Sequence, residues 1–308
     1  MKYKHLFGPV PSRRLGISLG IDLVPHKTCT LNCVYCECGK TTNLTLERSE
    51  YIPADEILSE LNKYLKNSPD LDYITFSGSG EPTLHSRIGE IINFLKHNYP
   101  QYKVAVLTNG TLFYDKKLRN EVRKADLVIP SLDAGTVEIF REINRPHENL
   151  NLNKIISGLI ELRKEFSGEI WLEVFIVPGL NDTGRELQKI KNIIQKIKPD
   201  KVQLNTLDRP GTETWVMSAK KEDLEEIASF LDAEIIAEFT SRKKIKSFSK
   251  DIEANIISTL RRRPCTAGDL SEILGIHLNE INKYLQVLIE TGKINSKEGE
   301  RGVFFRIK

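Results

Sequence analysis

The sequence predicts an α/β fold with a small helical domain behind it, and three observations carry that reading. Short β-branched runs alternate with longer amphipathic helical patterns from residue 17 to about 238, as in repeated βα units and a parallel sheet. Six such units are too few for a closed eight-unit barrel, and no GxGxxG follows the first strand, so a partial (β/α)6 barrel or an open sheet is expected. After a basic stretch, three short helical patterns and a hairpin pattern close the chain.

The strands are expected at 17–24, 73–77, 104–108, 127–131, 170–177, 202–205 and 233–238. Helices are expected at 54–65, 88–97, 116–124, 151–165, 184–196 and 221–231, the first opened by Pro53. This places one domain at 1–240. Residues 241–250 form a basic linker; with Thr240 they read TSRKKIKSFSK, five basic residues and no acidic one. Helices at 251–261, 267–274 and 278–289, with Gly275 as the turn between the last two, lead into a hairpin at 293–307 that turns near 299–302. That order resembles a winged helix-turn-helix at 251–308, with 278–289 as recognition helix.

Composition narrows the function classes. The chain has 308 residues, 40% hydrophobic and 28% charged, as in an ordinary globular protein. A net charge of +3 creates no global field for a polyanion, so any nucleic-acid partner must be read from local patches. No run approaches the roughly 18 apolar residues of a membrane span, and the N-terminus has no secretory h-region. A cytoplasmic protein without a membrane partner is expected.

Four of the five cysteines fall within ten residues. Cys29, Cys33 and Cys36 stand in a C-x3-C-x2-C spacing in the loop leaving the first strand, and Cys38 follows. Three thiolates so spaced suit three irons of a [4Fe–4S] cubane, leaving the fourth iron open to a ligand. The alternative is zinc, with Cys38 as fourth thiolate, although structural zinc loops usually pair cysteines from two separated knuckles. Cys265, far away in an apolar helical region, reads as an inert buried thiol. The six histidines show no ligand spacing. Gly78-Ser79-Gly80-Glu81-Pro82 follows the second strand, where small residues let backbone approach a ligand. The other strands end on polar or flexible residues: Asn109, Ser131 and Asp133, Val177 with Asn181, and Asn205 to Arg209. Strand ends are where ligands sit in such folds, yet each of these also suits a helix cap or turn.

The cysteine spacing with Tyr35 before its last cysteine, together with the GSGEP turn, resembles the radical S-adenosylmethionine (SAM) superfamily over roughly residues 16–238. The resemblance implies a [4Fe–4S] cluster on Cys29, Cys33 and Cys36. SAM would chelate the open iron and be cleaved by one electron to methionine and a 5′-deoxyadenosyl radical, which abstracts hydrogen from a substrate. It further implies SAM contacts from Tyr35, from Gly78, Gly80 and Glu81 for the amino group, from Asn109, Ser131 and Asp133 for ribose or methionyl, and from Val177 as adenine wall. Flavodoxin or ferredoxin would supply the electron.

The opening segment, with Arg13 and Arg14 between Pro11 and Gly16, looks most like proteins grouped with the wyosine-tRNA base synthases. No cysteine precedes Cys29, so their second cysteine set is missing. RNA or tRNA modification is one expectation, with RNA, tRNA or a protein docked by the C-terminal domain. The competing class is an iron–sulfur redox sensor that binds nucleic acid. Residues 251–308 carry nine Lys/Arg against eight Asp/Glu, a weak basic excess for a nucleic-acid domain.

Overall fold

The computed structural model describes residues 3–12, 14–236, 252–276 and 278–308. Arg13, His277, the end of the seventh expected strand at Glu238 and the linker 241–250 lie outside them.

The chain opens with a hairpin, β1 (Leu6–Ser12) and β2 (Gly16–Ile21), then a two-strand clip, β3 (Thr28–Cys29) and β4 (Asn43–Leu44). Next come α1 (Ala54–Leu65), β5 (Tyr73–Phe76), α2 (Ile88–Asn98), β6 (Lys103–Thr108), α3 (Lys116–Val122), β7 (Leu127–Pro130), α4 (Val137–Asn144), α5 (Leu152–Glu165), β8 (Glu169–Ile176), α6 (Gly184–Ile197), β9 (Lys201–Thr206), α7 (Lys221–Leu231) and β10 (Glu234–Ile235).

One eight-stranded sheet runs β1-β2-β5-β6-β7-β8-β9-β10. Every pair from β2 to β10 is parallel, and β1 alone is antiparallel. Its strands are near-continuous apolar runs, as two covered faces require: Ile74, Phe76, Val104, Val106, Val128, Leu172 and Val174 are fully buried. The sheet is open, with β1 and β10 at its edges.

Besides the short strands β3, β4 and β11, two longer elements depart from the sequence expectation. Residues 6–12 form a strand despite Pro9 and Pro11, because an edge strand can spare N–H groups; the register shifts between Phe7 and Val10. The α4 helix lies in a stretch expected to be loop; Thr136 caps it through the Ile139 N–H.

The C-terminal segment folds as α8 (Ile252–Arg262), β11 (Cys265–Thr266), α9 (Ala267–Leu274), α10 (Leu278–Glu290), β12 (Ile294–Gly299) and β13 (Gly302–Ile307). The β12–β13 hairpin turns at the Gly299–Gly302 pair, as its glycines predict. Thr266 and Asp269 make a reciprocal capping box at the start of α9. A separate core of Ile256, Leu260, Leu270, Ile281, Leu285 and Leu288 holds the segment together, Cys265 is buried within it, and Val10 of β1 packs against it.

Candidate metal centre and ligand site

The cysteine loop leaves β2 and is pinned on two sides. Lys27 N–H donates to Ser79 O at 2.7 Å and Glu81 N–H to Thr28 O at 3.0 Å, tying the loop to the GSGE turn. Asn32 and Val34 N–H groups donate to carbonyls at the end of α4. Cys29, Cys33 and Cys36 are half-buried, and each sulfur accepts from one nitrogen: Asn109 Nδ2 on Cys29 at 3.5 Å, Asn144 Nδ2 on Cys33 at 3.5 Å, and Lys27 Nζ on Cys36 at 3.0 Å.

Burial pushes the Cys29 thiol up to about 12 and the Cys33 thiol higher still. Cys36 is driven the other way by the hydrogen bond from Cys38 and the charge of Lys27, which together outweigh its burial.

Among the described residues no three His, Cys, Asp or Glu side chains gather closely enough around one point to hold a single metal ion. A zinc ion needs its thiolates about 2.3 Å from one centre, whereas a cubane spreads three thiolates over three irons. Three cysteine thiols in one short loop are a donor set of the chemistry a cubane uses, one thiolate to each of three irons. Cys38, beside Cys36, also has the Arg262 carbonyl at 2.6 Å from its sulfur.

The GSGE turn lies against this loop. A Cβ on Gly80 would stand 2.4 Å from Thr28 O, and Gly78 adopts φ +132° with Asp22 Oδ1 2.1 Å from where its Cβ would be. Only glycine fits at either place. Glu81 is buried, and its carboxylate accepts from Thr83 N–H, Thr83 Oγ1, Thr108 Oγ1 and the Asn109 N–H at 2.6–3.0 Å. Burial raises its pKa against those bonds. Its work here is to lock the ends of β5 and β6 together and to place Asn109, whose amide also donates to Thr30 Oγ1 at 2.8 Å.

The remaining expected residues come together around Asp133. Its Oδ2 accepts from Tyr35 OH at 2.6 Å and Asn144 Nδ2 at 2.7 Å, and Oδ1 accepts from Phe175 N–H at 3.0 Å. Burial lifts this carboxyl to about 6 despite those bonds. The Tyr35 ring stacks on Phe175, centroids 3.8 Å apart. Val177 is buried with Val34, Phe175 and Val216, its N–H held by Asn181 Oδ1 at 2.8 Å. Ser131 bridges to Glu173 beside Asp133. Sequence reasoning missed Lys27, Asn144 and Phe175. Asn144 sits on the unexpected helix, and Lys27, two residues before Cys29, has no motif of its own.

A cavity of about 340 Å³ opens inside the sheet, within the range of small-molecule sites, lined among others by Arg14, Ser18, Cys38, Gly78, Asn205 and Arg262. Arg14 reaches Glu173 and Gln203 across it. Its outer wall is α8, through Thr259 and Arg262, with Arg263 just past the helix end. Arg262 pairs with Asp22 at 2.5 Å and lies over the Phe7 ring, 4.4 Å from its centroid. Buried Arg209 faces Glu37 at 3.2 Å and Asp269 at 3.9 Å, and Arg301 reaches Asp208 at 2.7 Å.

Comparison with known proteins gives the chain's relatives and its fold. The chain is 33% identical over 314 residues to the UPF0026 protein MJ1312 of Methanocaldococcus jannaschii, covering 97% of this chain and 94% of that one. It is 40% identical over 305 residues to a protein named GTPase Obg of Brachyspira hyodysenteriae, covering 96% of this chain but only 44% of that protein's length. The fold matches that of a radical SAM methyltransferase from Sphaerobacter thermophilus at TM-score 0.55 and 16% identity, over 73% of this chain and 67% of that one. The radical SAM superfamily pattern matches residues 23–194. The chain thus belongs to the radical SAM superfamily, and with its relative to the UPF0026 proteins.

Proposed function

We propose that the protein is an enzyme that cleaves SAM at a [4Fe–4S] cluster held by Cys29, Cys33 and Cys36, and acts on a substrate in the cavity beneath the C-terminal domain. The superfamily's cofactors are that cluster and SAM, and when bound and reduced they supply a 5′-deoxyadenosyl radical for hydrogen abstraction. The observation that carries the reading is the convergence, at the C-terminal ends of the parallel strands, of three thiols, one N–H donor on each, and a glycine turn that admits no side chain.

This chain's own residues prepare the site. Gly78 and Gly80 leave main-chain groups open for the methionyl amino group. Glu81 fixes Asn109 toward Cys29. Asp133 holds Tyr35 flat on Phe175; with both its oxygens already engaged it serves as scaffold for the loop, and Ser131 beside it is left for the ribose. Val177 backs the adenine side.

The C-terminal order of helix, strand, two helices and hairpin supports a winged helix-turn-helix reading. Docked as it is, the domain is read as a wall of the substrate site. The exposed side chains described on α10 include Leu278, Val287 and Ile289, which suits a protein partner better than a phosphate backbone. That favours the enzyme over the nucleic-acid-binding sensor and leaves RNA or tRNA modification as a narrower form of the proposal.

The test is anaerobic: protein reconstituted to four irons and reduced with dithionite should release 5′-deoxyadenosine from SAM slowly without substrate. Fully loaded protein that neither binds SAM nor releases 5′-deoxyadenosine would move the sensor reading ahead.

A further inference from the structure

Lys27 is a buried ammonium whose side-chain partner is a cysteine sulfur. It is 4% exposed, and among the described residues no carboxylate lies within ion-pair distance of it. Its backbone takes the left-handed conformation, φ +59°, unusual for a residue with a side chain. Both sides of that residue are fixed: its N–H donates to Ser79 O, and its carbonyl accepts from Thr42 and Asn43 N–H at 3.1 Å each. The loop therefore holds a strained residue in place and aims its Nζ at Cys36 Sγ, 3.0 Å away.

The other two sulfurs receive neutral amides at the longer distance of 3.5 Å. Among the described residues, Cys36 is the one of the three whose sulfur has an ammonium at hydrogen-bond distance. A buried ammonium without a carboxylate is costly unless negative charge arrives beside it. A cubane on three thiolates is an anion, and one-electron reduction adds a further negative charge with no bond made or broken.

We infer that Lys27 sets the reduction potential of the cluster: its fixed charge at the Cys36 corner favours the reduced state and so lets a low-potential one-electron donor deliver its electron. This rests on the assignment of the cluster to Cys29, Cys33 and Cys36. Hydrogen bonds and charges at cluster sulfurs are among the means by which proteins tune such potentials, and at this separation a buried charge acts strongly. Lys27 is thus a positioning and tuning residue, since it touches a cluster ligand rather than the substrate.

The experiment is an EPR-monitored redox titration of the full-length protein with its cluster reconstituted anaerobically. Lys27→Gln keeps an N–H donor and removes the charge; its midpoint should move to more negative potential at wild-type iron and sulfide content. Lys27→Arg, which restores the charge, should return toward the wild-type value. Lys27→Gln with full iron content and an unchanged midpoint would overturn the inference. A second measurement needs no variant: wild-type protein carrying 15N-lysine, reduced with dithionite, should show a lysine nitrogen coupled to the cluster spin, and the lack of any such coupling would equally overturn it. Wild-type protein that takes up no four-iron cluster would sink the reading of the site itself, which the iron analysis shows before any titration.

Discussion

The thiol of Cys38 meets the carbonyl of Arg262 at 2.6 Å, across 224 residues of sequence. The fourth cysteine of the loop thereby meets the C-terminal domain, while the other three face nitrogen donors from the loop itself, α4 and the end of β6. On the proposed reading one loop carries two jobs, ligation by Cys29, Cys33 and Cys36 and docking by Cys38.

That division predicts a sharp difference among alanine variants. Cys29→Ala, Cys33→Ala and Cys36→Ala should each fail to hold the four-iron cluster, because the open-iron arrangement has no spare thiolate. Cys38→Ala should keep it. Anaerobic iron and sulfide analysis with EPR checks this, and a Cys38→Ala protein devoid of cluster would contradict it.

Gly80→Ala should weaken SAM binding at least tenfold. The added Cβ would lie 2.4 Å from Thr28 O and 2.6 Å from Val24 Cγ2, so the turn must move away from the residue next to Cys29. Titration calorimetry with SAM on the reconstituted variant measures the loss. Gly39→Ala has open space around its Cβ, but φ +87° strains it, so a milder effect on stability alone is expected there.

The Asp22–Arg262 pair should be worth more to docking than a surface ion pair, since both side chains are 14% exposed. Arg262→Met strands a buried carboxylate and should cost about 3 kcal/mol of stability. The double variant Asp22→Asn/Arg262→Met should recover much of that, because no lone charge is left. Urea unfolding of the three proteins provides the comparison, and equal losses in single and double variants would refute the pairing argument.

Asp133 should make the apoprotein less stable as pH rises. Its carboxyl is lifted from 3.8 to about 6 by burial, so folding favours the protonated form. The stability that this proton brings is complete below 3.8 and is lost as pH rises through about 6, a change of about 3 kcal/mol. Buried Glu81 pulls in the same direction. Asp133→Asn should flatten only its own part of the slope between pH 4.5 and 7, as measured by urea unfolding at each pH.

Much of this was legible because it depends on local pattern. The six helices between the strands follow their amphipathic periods, with α1 at Ala54–Leu65 as expected, and the cysteine spacing and glycine turn mark the candidate site without any tertiary information. What escaped depends on partners distant in sequence. Leu6–Ser12 is a strand because β2 pairs with it, not because its prolines favour one. Asn144 matters through Cys33, 111 residues earlier. Asp133 was named as a strand-end polar group, but its engagement by Tyr35 and Phe175 comes from packing that no spacing encodes.

The two ends of the chain are made interdependent: α8 lines the cavity, and Val10 of the first strand packs on the C-terminal core. Asp22 on the first domain holds Arg262 on the last, so the loss of either segment would uncover the cavity between them.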